Sequence, residues 1–302
     1  MRKEFSRHIE KLAVENEKII FLTGDLGFMA LENVRNAIGD RFINVGVSEQ
    51  NMISIAASLA YENLIPVCYS IAPFIAFRPS EQIRIDVCLH NMNVKMVGNG
   101  GGFGYGIMGA THHAIEDIAV LSSFQNMKCF IPYCNEDVCG AIDKMFEYKG
   151  PSYLRLGHGS KPVNSSLRNF SPIRKINNGD KITIIGIGPV ILNALDALSK
   201  IKNDIADIFT VSEMPLTFLS KELTDSINKI KKLIVIEEHV KRGGLGENMA
   251  SLLFEGNISC KYSHLYIKGY PGGLYGDRAY HLELNGLSAE QILLEINKKI
   301  SE

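Results

Sequence analysis

The chain has 302 residues, 46% of them apolar and 22% charged, which is typical of a soluble globular protein with room for two domains. A formal net charge of -1 leaves no basic surface for nucleic acid or an anionic membrane. No apolar run approaches the roughly 20 residues that cross a bilayer, and the first residues predict an amphipathic helix without a signal-peptide core. We therefore expect a cytoplasmic protein that binds neither nucleic acid nor membrane.

Six cysteines are scattered through mostly apolar segments, and none has the CxxC spacing of a zinc or redox site. Those at 129, 134 and 139 fall across a predicted strand and the helix that follows it. Reduced, buried thiols are the interpretation, without a metal site or disulfides. The cysteines are Cys68, Cys88, Cys129, Cys134, Cys139 and Cys260.

Short β-branched runs alternate with helical patterns along the first half of the chain. Alternation of this kind indicates a mainly parallel sheet that is covered by helices on both faces. Helices are predicted at 2–15, 29–38, 49–61, 74–89, 113–124 and 136–148, and strands at 18–22, 42–45, 65–69, 94–97, 128–131 and 153–156.

A polar connector is predicted from 161 to 178, where the pattern lapses into Lys-Pro-Val-Asn-Ser-Ser and Asn-Asn-Gly. The sequence thus predicts an α/β protein of two doubly wound domains, each a mainly parallel sheet with helices on both faces. We place these domains at 1–165 and 179–302, with a linker at 166–178. The second domain has predicted strands at 181–187, 206–211, 233–237 and 262–267 and a closing helix at 289–300.

The segment Gly46-Val47-Ser48-Glu49-Gln50-Asn51 holds a carboxylate where a predicted strand passes into a helix. This position puts Glu49 at the carboxyl edge of the sheet, where ligands of open α/β sheets bind. A partly desolvated glutamate at such an edge can exchange a proton near neutral pH. The simpler interpretation is an acid in the first helical turn that the helix dipole favours.

Two aromatic residues, Phe74 and Phe77, lie three positions apart at the start of the fourth predicted helix. That spacing puts both rings on one helical face. Near the carboxyl edge of the sheet, two such rings could stack on a planar heterocycle. The alternative is that both rings belong to the core.

The segment 98–113 is rich in glycine but matches neither a dinucleotide fingerprint nor a P-loop. So many glycines predict unusual backbone angles or a close approach to another group. The segment ends in His112 and His113, at the predicted head of a helix. Adjacent helical residues point about 100° apart, so we predict different roles for the two histidines. Zinc ligands on a helix usually lie four apart, which argues against a zinc pair.

Three further polar residues are weaker candidates. Asp25 follows the first predicted strand and reaches the same sheet edge, although a turn aspartate is the simpler interpretation. Arg155 and His158 follow the strand that closes the first domain. They could bind an anion or could be ordinary surface residues.

In this order and spacing, the motifs resemble the pyrimidine-binding and C-terminal domains of transketolase-like, thiamine diphosphate-dependent enzymes. The resemblance covers nearly the whole chain, although each motif is modest by itself. The matching segments are 24–26, 46–51, 74–77, 111–117, 126–127, 132, 151–152, 237–239 and 243–246.

The resemblance implies a role for each candidate around the sheet edge. Glu49 would be catalytic, because it would hydrogen-bond a ring nitrogen of the aminopyrimidine of thiamine diphosphate. Phe74 and Phe77 would form the pyrimidine pocket, and Asp25 would lie close to the same ring. His112, also catalytic, would contact the substrate oxygen at the reacting carbon. The cofactor would supply the carbanion chemistry that moves a two-carbon ketol unit from a ketose to an aldose.

A diphosphate-binding motif is missing from the sequence. Family members that bind the diphosphate carry Gly-Asp-Gly and a later asparagine that holds magnesium, whereas this chain has Gly-Asp at four places and never Gly-Asp-Gly. The resemblance therefore implies a split transketolase, in which an N-terminal partner subunit holds the diphosphate and Mg²⁺. This chain would be inactive alone, and the expected assembly is a homodimer or an α2β2 heterotetramer.

Several substrate-binding positions of the family differ in this sequence. Met108 replaces an acidic residue that contacts a donor hydroxyl, and Gly100 replaces a histidine that contacts substrate. His158 replaces an arginine that holds the acceptor phosphate. A modified sugar, sugar phosphate or other specialised ketose is therefore our hypothesis for the substrate. The resemblance assigns substrate contacts to Arg2, His112, His113, Arg155 and His158, and assigns no residue to a metal.

Three alternatives remain open at this point. The β subunit of a 2-oxo acid dehydrogenase has the same two-domain plan, and the glycine run before His112 favours it, whereas segment 115–121 is closer to transketolase. Deoxyxylulose phosphate synthases also have a double histidine but are normally single chains. A non-catalytic scaffold subunit would keep the fold, but Glu49 and both phenylalanines argue against it.

Overall fold

The computed structural model describes residues 1–27, 29–159, 170–201, 203–270 and 272–302. Its strands are β1 (Ile19–Thr23), β2 (Phe42–Asn44), β3 (Ile65–Ile71), β4 (Lys95–Asn99), β5 (Lys128–Phe130), β6 (Ser152–Leu156), β7 (Ile173–Asn177), β8 (Ile182–Ile187), β9 (Ala206–Val211), β10 (Glu213–Met214), β11 (Lys232–Val240) and β12 (Lys261–Ile267). Its helices are α1 (Arg2–Glu15), α2 (Glu32–Ile38), α3 (Glu49–Tyr61), α4 (Ala72–Phe77), α5 (Ser80–Gln82), α6 (Asp117–Ser122), α7 (Val138–Glu147), α8 (Ile191–Ser199), α9 (Lys221–Ile230), α10 (Leu245–Glu255), α11 (Arg278–Leu284) and α12 (Ala289–Ser301).

The first sheet has the strand order β10-β5-β6-β4-β3-β1-β2 and is parallel except for β10. The chain leaves β1 toward β2 on one side and leaves β3 toward β4 on the other. The carboxyl ends of β1 and β3 therefore flank a topological switch point, where open α/β sheets bind ligands.

The second sheet has the order β12-β11-β8-β9-β7 and is parallel except for β7. Both sheets are thus mainly parallel with helices between their strands, which confirms the predicted fold class. The predicted connector differs from the structure, because residues 173–177 pair with β9 as an edge strand. Residues 160–169 of that connector lie outside the described residues, and the domain bounds stay a prediction.

The two domains share a hydrophobic core. One cluster of buried residues contains strand residues from both sheets, including Leu22 and Met96 from the first and Ile185 and Phe209 from the second. The antiparallel strand β10, which follows β9, completes the edge of the first sheet beside β5. Shared apolar burial and the pairing of β10 with the first sheet fix how the domains lie against each other.

Two predicted helices differ from the structure near the sheet edge. The helix expected at 74–89 is divided into α4, α5 and a π-helical segment, Ile83–Leu89, and Pro79, which has no N–H to donate, lies between α4 and α5. The helix expected at 113–124 begins only at Asp117. A β-bridge between Gly102 and Ala114 holds the preceding residues in a loop, so the two histidines do not head that helix.

The six cysteines are free, and four of them are buried. Burial raises the pKa of the Cys88 thiol to about 12, which makes it a poor nucleophile. Among the described residues, no helix is both long and apolar enough to cross a membrane. The same part of the chain holds no group of three or more His, Cys, Asp or Glu side chains placed to bind a metal.

Candidate active site

Glu49 lies at the switch point of the first sheet, as the first residue of α3. Its side chain approaches the end of β1, where a Cβ on Gly24 would be 3.8 Å from Oε1 of Glu49 and 3.1 Å from the backbone oxygen of Gly46. The chain thus brings the β1 and β2 ends together around this carboxylate. Glycine at position 24 permits the close approach.

The carboxylate of Glu49 is buried, with a relative exposure of 3%. Ser70, near the end of β3, donates a hydrogen bond of 3.0 Å to Oε1. Arg78 donates one of 2.9 Å to Oε2. Because both oxygens bind side chains from the next strand and helix, the carboxylate does not cap α3. The simpler interpretation of a first-turn acid therefore does not account for its position.

Arg78 links Glu49 to a row of rings. Its guanidinium lies over the Phe74 ring, with Cζ 3.8 Å from the ring centroid, and Phe74 meets His112 edge-on at 5.1 Å between centroids. The His112 ring is in turn 5.8 Å from that of Tyr105. Sequence reasoning missed Arg78, although an arginine four residues after Phe74 would share its helical face.

A cavity of about 420 Å³ opens beside Glu49. Arg78 lines the same cavity as the carboxylate that it binds. The second phenylalanine, Phe77, is half-buried and packs against the main core, so the two predicted aromatic residues differ in their surroundings. The cavity is lined by Val47, Ser48, Glu49, Gln50 and Arg78.

His112 ends a 3-10 turn, Ala110–His112, on the glycine-rich loop. Its Nδ1 is 2.9 Å from the hydroxyl of Thr111, which leaves Nε2 as the nitrogen that can meet a ligand. Tyr105 is held in place beside it by a 2.9 Å hydrogen bond from the side-chain amide of Asn99. The structure thus brings His112 together with Phe74 and, through Arg78, with Glu49.

The substrate contact of His113 stays a prediction, and the structure places this side chain in the interior, where it is fully buried. Its Nε2 lies 2.8 Å from the backbone oxygen of Gly106, and its ring packs against Phe103 and His281 at 4.9 and 5.0 Å between centroids. Burial lowers its pKa. The prediction that the adjacent histidines differ in role is thus supported by their surroundings.

The substrate contact of Arg155 also stays a prediction, and the side chain has a relative exposure of only 3%. Its Nε donates a hydrogen bond of 2.8 Å to Asp117. A second nitrogen donates to the backbone oxygens of Ala114, at 2.7 Å, and Glu238, at 3.2 Å. Arg155 therefore joins strand β6, the loop before α6 and the second domain, and its guanidinium is engaged by protein partners.

The remaining candidates lie at the margin of the site. Asp25 is exposed, accepts a 3.1 Å hydrogen bond from Asn44 and lines a separate cavity of about 300 Å³. Arg2 is exposed at the start of α1. Partial burial and the nearby charge of Arg278 lower the pKa of His158. These residues stay predicted contacts of the cofactor or substrate.

The second domain contributes a residue that sequence reasoning did not assign to the site. Glu238, on β11, is 3% exposed and accepts a 2.9 Å hydrogen bond from the backbone N–H of Phe103. Arg278 pairs with the same carboxylate. A charged residue within a buried strand was the available signal, since a buried carboxylate requires partners.

The adjacent Glu237 explains why the glycines at 243–246 do not bind a phosphate. Its carboxylate accepts hydrogen bonds from the N–H groups of Leu245, at 2.7 Å, and Gly246, at 3.0 Å. It also meets His264 at 2.6 Å. The N-terminus of α10 is thus occupied by a protein carboxylate.

Two family models cover most of the chain. The model of the transketolase pyrimidine-binding domain matches residues 1–162, and that of the transketolase C-terminal domain matches residues 172–292. This chain belongs to the transketolase family. The family resemblance that the motifs predicted is therefore confirmed, and the chain is a transketolase-like subunit.

Curated relatives of this transketolase-family chain include a transketolase subunit of similar length and a longer synthase. It is 32% identical to an apulose-4-phosphate transketolase subunit of Actinobacillus succinogenes, over 84% of this chain and 83% of that one. It is 30% identical to 1-deoxy-D-xylulose-5-phosphate synthase of Clostridium perfringens, over 95% of this chain but only 47% of that one. The two-chain relative thus matches this transketolase-family chain almost end to end.

A solved structure agrees with this comparison. A split-gene transketolase, described as an inactive beta4 tetramer, superimposes with a TM-score of 0.85 and 28% identity, over 99% of this chain and 97% of the other. This split-gene transketolase therefore matches the transketolase-like chain over nearly its whole length. The prediction of a ketol-transferring, split subunit is confirmed at the level of the family.

Proposed function

We propose that this chain is the pyrimidine-binding half of a two-chain, thiamine diphosphate-dependent transketolase that moves a two-carbon ketol unit from a ketose to an aldose. The observation that carries the proposal is the buried carboxylate of Glu49 at the switch point of the first sheet, held by Ser70. A buried carboxylate is costly unless something binds it. Its position beside a cavity supports a role in binding and in proton exchange.

The residues around Glu49 fit an aminopyrimidine. The carboxyl group can hydrogen-bond a ring nitrogen when the two share a proton, and Phe74 offers an aromatic face beside it. Phe77, on the same short helix, and Asp25, at the end of the neighbouring strand, would complete the pocket as the family resemblance implies. Burial of the Glu49 carboxylate limits its contact with water, which strengthens its hydrogen bonds.

Thiamine diphosphate, when bound, would supply the carbanion chemistry of ketol transfer. The chain itself would hold and orient the cofactor ring and manage protons. Glu49 would hold a proton at the pyrimidine ring nitrogen, and Ser70 would keep that carboxylate in one rotamer. His112 would contact the substrate oxygen at the reacting carbon through Nε2, because Thr111 already meets Nδ1.

A partner subunit would bind the diphosphate and Mg²⁺. The absence of Gly-Asp-Gly from the sequence supports this division, and so does the relative in Actinobacillus succinogenes, whose name makes it one subunit of a transketolase. We propose an α2β2 heterotetramer in the cytoplasm as the active form, with this chain inactive alone.

A specialised sugar is the proposed substrate class. The relative from Actinobacillus succinogenes is named for apulose 4-phosphate, which supports a sugar phosphate other than the common pentose phosphates. Met108, which is 54% exposed on the glycine-rich loop, would present an apolar side chain to the donor. If the reconstituted pair used xylulose 5-phosphate with ribose 5-phosphate as fast as any other pair, this part of the proposal would be wrong.

Substitution of Glu49 tests the function. The chain is co-expressed with a partner that carries Gly-Asp-Gly, and ketol transfer and thiamine diphosphate binding are measured. We expect Glu49→Gln to lower kcat by about 100-fold or more, as loss of an acid–base group does, while Glu62→Gln, at the exposed end of α3, has no effect. Full activity of Glu49→Gln would contradict the proposal. Release of carbon dioxide from a 2-oxo acid would favour a dehydrogenase instead.

A further inference from the structure

Arg78 makes two contacts that have the same geometry as those expected of a bound ring. Its guanidinium donates a 2.9 Å hydrogen bond to Oε2 of Glu49. The same group lies over the Phe74 ring at 3.8 Å from the centroid. A flat, nitrogen-bearing group is therefore already present between the carboxylate and the aromatic face.

A guanidinium and an aminopyrimidine share the properties that this place selects. Both are planar, both donate N–H groups to a carboxylate oxygen and both stack on an aromatic face. The guanidinium already binds Oε2 of Glu49 and covers the face of the Phe74 ring, and a second flat group cannot lie in the same space. An arriving ring therefore competes with Arg78.

We propose that Arg78 occupies the aminopyrimidine position in the free subunit and moves toward solvent when the cofactor binds. This inference rests on the proposed function, since it concerns the same site. Arg78 is thus a further residue of the cofactor site, and it sets the fraction of free subunits whose site can accept the ring.

Burial and exposure of the two partners support this movement. Glu49 has a side-chain exposure of only 2%, whereas that of Arg78 is 45%. A carboxylate buried without a counter-ion is costly, so the free subunit benefits from a cation at Oε2. Arg78 is exposed enough to leave without burying its own charge, and it can be rehydrated as it turns outward.

The consequence is a lower affinity for the pyrimidine in the free subunit. When a binding-competent state is only a fraction of the population, the apparent dissociation constant rises by the inverse of that fraction. If Arg78 occupies the site in about nine tenths of the molecules, affinity falls about tenfold. Removal of the guanidinium should restore that affinity.

The experiment measures binding of 4-amino-5-hydroxymethyl-2-methylpyrimidine to the isolated full chain by calorimetry at neutral pH, where Glu49 and the ring nitrogen can share a proton. This probe needs no partner subunit, because it lacks the diphosphate. We expect Arg78→Ala to bind it about tenfold more tightly than the unsubstituted chain. Arg84→Ala is the matched control and should bind the probe like the unsubstituted chain. Arg84 is an exposed arginine, six residues after Arg78, that pairs with Glu81.

A second variant and a salt series guard against misfolding of Arg78→Ala. Arg78→Lys keeps the counter-charge without the planar fork, and we expect it to bind the probe more tightly than the unsubstituted chain. Added salt weakens an ion pair that has an exposed partner, such as the pair of Arg78 and Glu49. It should therefore tighten binding of the probe to the unsubstituted chain and leave its binding to Arg78→Ala unchanged.

The outcomes separate this inference from the function on which it rests. Equal or weaker binding by both Arg78 variants, compared with the unsubstituted chain, would overturn the role of Arg78 while the site remains a pyrimidine site. If neither the unsubstituted chain nor any variant binds the probe, the proposed function fails, and the inference fails with it.

Discussion

The carboxylate of Glu238, in the second domain, accepts a hydrogen bond from the backbone N–H of Phe103, in the first, at 2.9 Å between residues 135 positions apart. Arg278 pairs with the same carboxylate from α11. Phe103 lies on the glycine-rich loop that carries Tyr105 and His112. The second domain therefore holds the loop on which a candidate catalytic residue depends.

Removal of the Glu238 carboxylate should destabilise the protein. Glu238→Ala leaves the N–H of Phe103 without its acceptor and Arg278 without its partner, and loss of one member of a buried pair costs about 3 kcal/mol. We expect the free energy of unfolding, measured with urea, to fall by this amount. Glu255→Gln, at the exposed end of α10, should change it by less than about 0.5 kcal/mol. Equal stabilities for the two variants would show that the loop does not depend on Glu238.

Glycine 102 has both a conformational and a steric requirement. Its φ is +65°, and a Cβ there would lie 2.6 Å from the side chain of Glu238. Gly286 is a matched control, because its φ is +74° and a Cβ there would meet nothing within 4 Å. We expect Gly286→Ala to cost about 1 kcal/mol for its backbone alone and Gly102→Ala to cost about 2 kcal/mol more. Thermal unfolding of both variants measures the difference, and equal costs would mean that Glu238 moves aside freely.

Substitutions of the two adjacent histidines should have different effects, one on activity and the other on stability. In the assembled enzyme, His112→Ala removes a proton-exchanging group and should lower kcat by about 100-fold with little effect on stability. His113→Ala leaves a cavity among Phe103 and His281 and should cost about 3 kcal/mol of stability. Steady-state kinetics and urea unfolding of both variants test the pair. The reverse pattern would mean that His113 is the residue at the substrate.

Lys95 should make stability depend on pH. This lysine is fully buried, with Nζ donating to the backbone oxygens of Tyr148 and Gly150, and burial, with the nearby charge of Lys149, lowers its pKa from 10.5 to about 7. Between these values the unfolded chain binds more protons than the folded one, so stability rises with pH. Below about pH 7 both states are protonated, and the penalty of the buried charge is complete.

A urea unfolding series tests this dependence. From pH 7 toward pH 10 we expect the unsubstituted chain to gain stability relative to Lys95→Met, which has no proton to lose at this position. Lys144→Met is the control, because Lys144 is exposed and paired with Glu147. A difference between the unsubstituted chain and Lys95→Met that does not change with pH would show that Lys95 keeps its proton in the folded state.

The local pattern predicted the elements better than their ends. Alternation of strands and helices was enough for two mainly parallel sheets, because hydrophobic periodicity is a property of neighbouring residues. The segment at 113–124 was predicted as one helix, yet it begins at Asp117. The reason is the bridge between Gly102 and Ala114. These residues are too far apart in sequence for their pairing to be predicted from local periodicity.

The candidate site was predicted in part. Glu49, Phe74 and His112 were identified from motifs, and the fold brings them to one sheet edge. Substrate contacts of Arg155 and His113 were predicted from the resemblance and from their place in the chain. Both side chains are buried partly by contacts with the second domain, at the backbone oxygen of Glu238 and at His281, which the residue types alone do not reveal.

By itself the sequence determined the family, the two mainly parallel sheets and the carboxylate at the edge of the first sheet. These follow from short-range periodicity and from motifs in a fixed order, which are written along the chain. The tertiary structure decided that Arg78 covers Glu49 and that Glu238 holds the loop of His112. Such pairs join residues far apart in sequence, and their energies depend on burial, which exists only once the chain is packed.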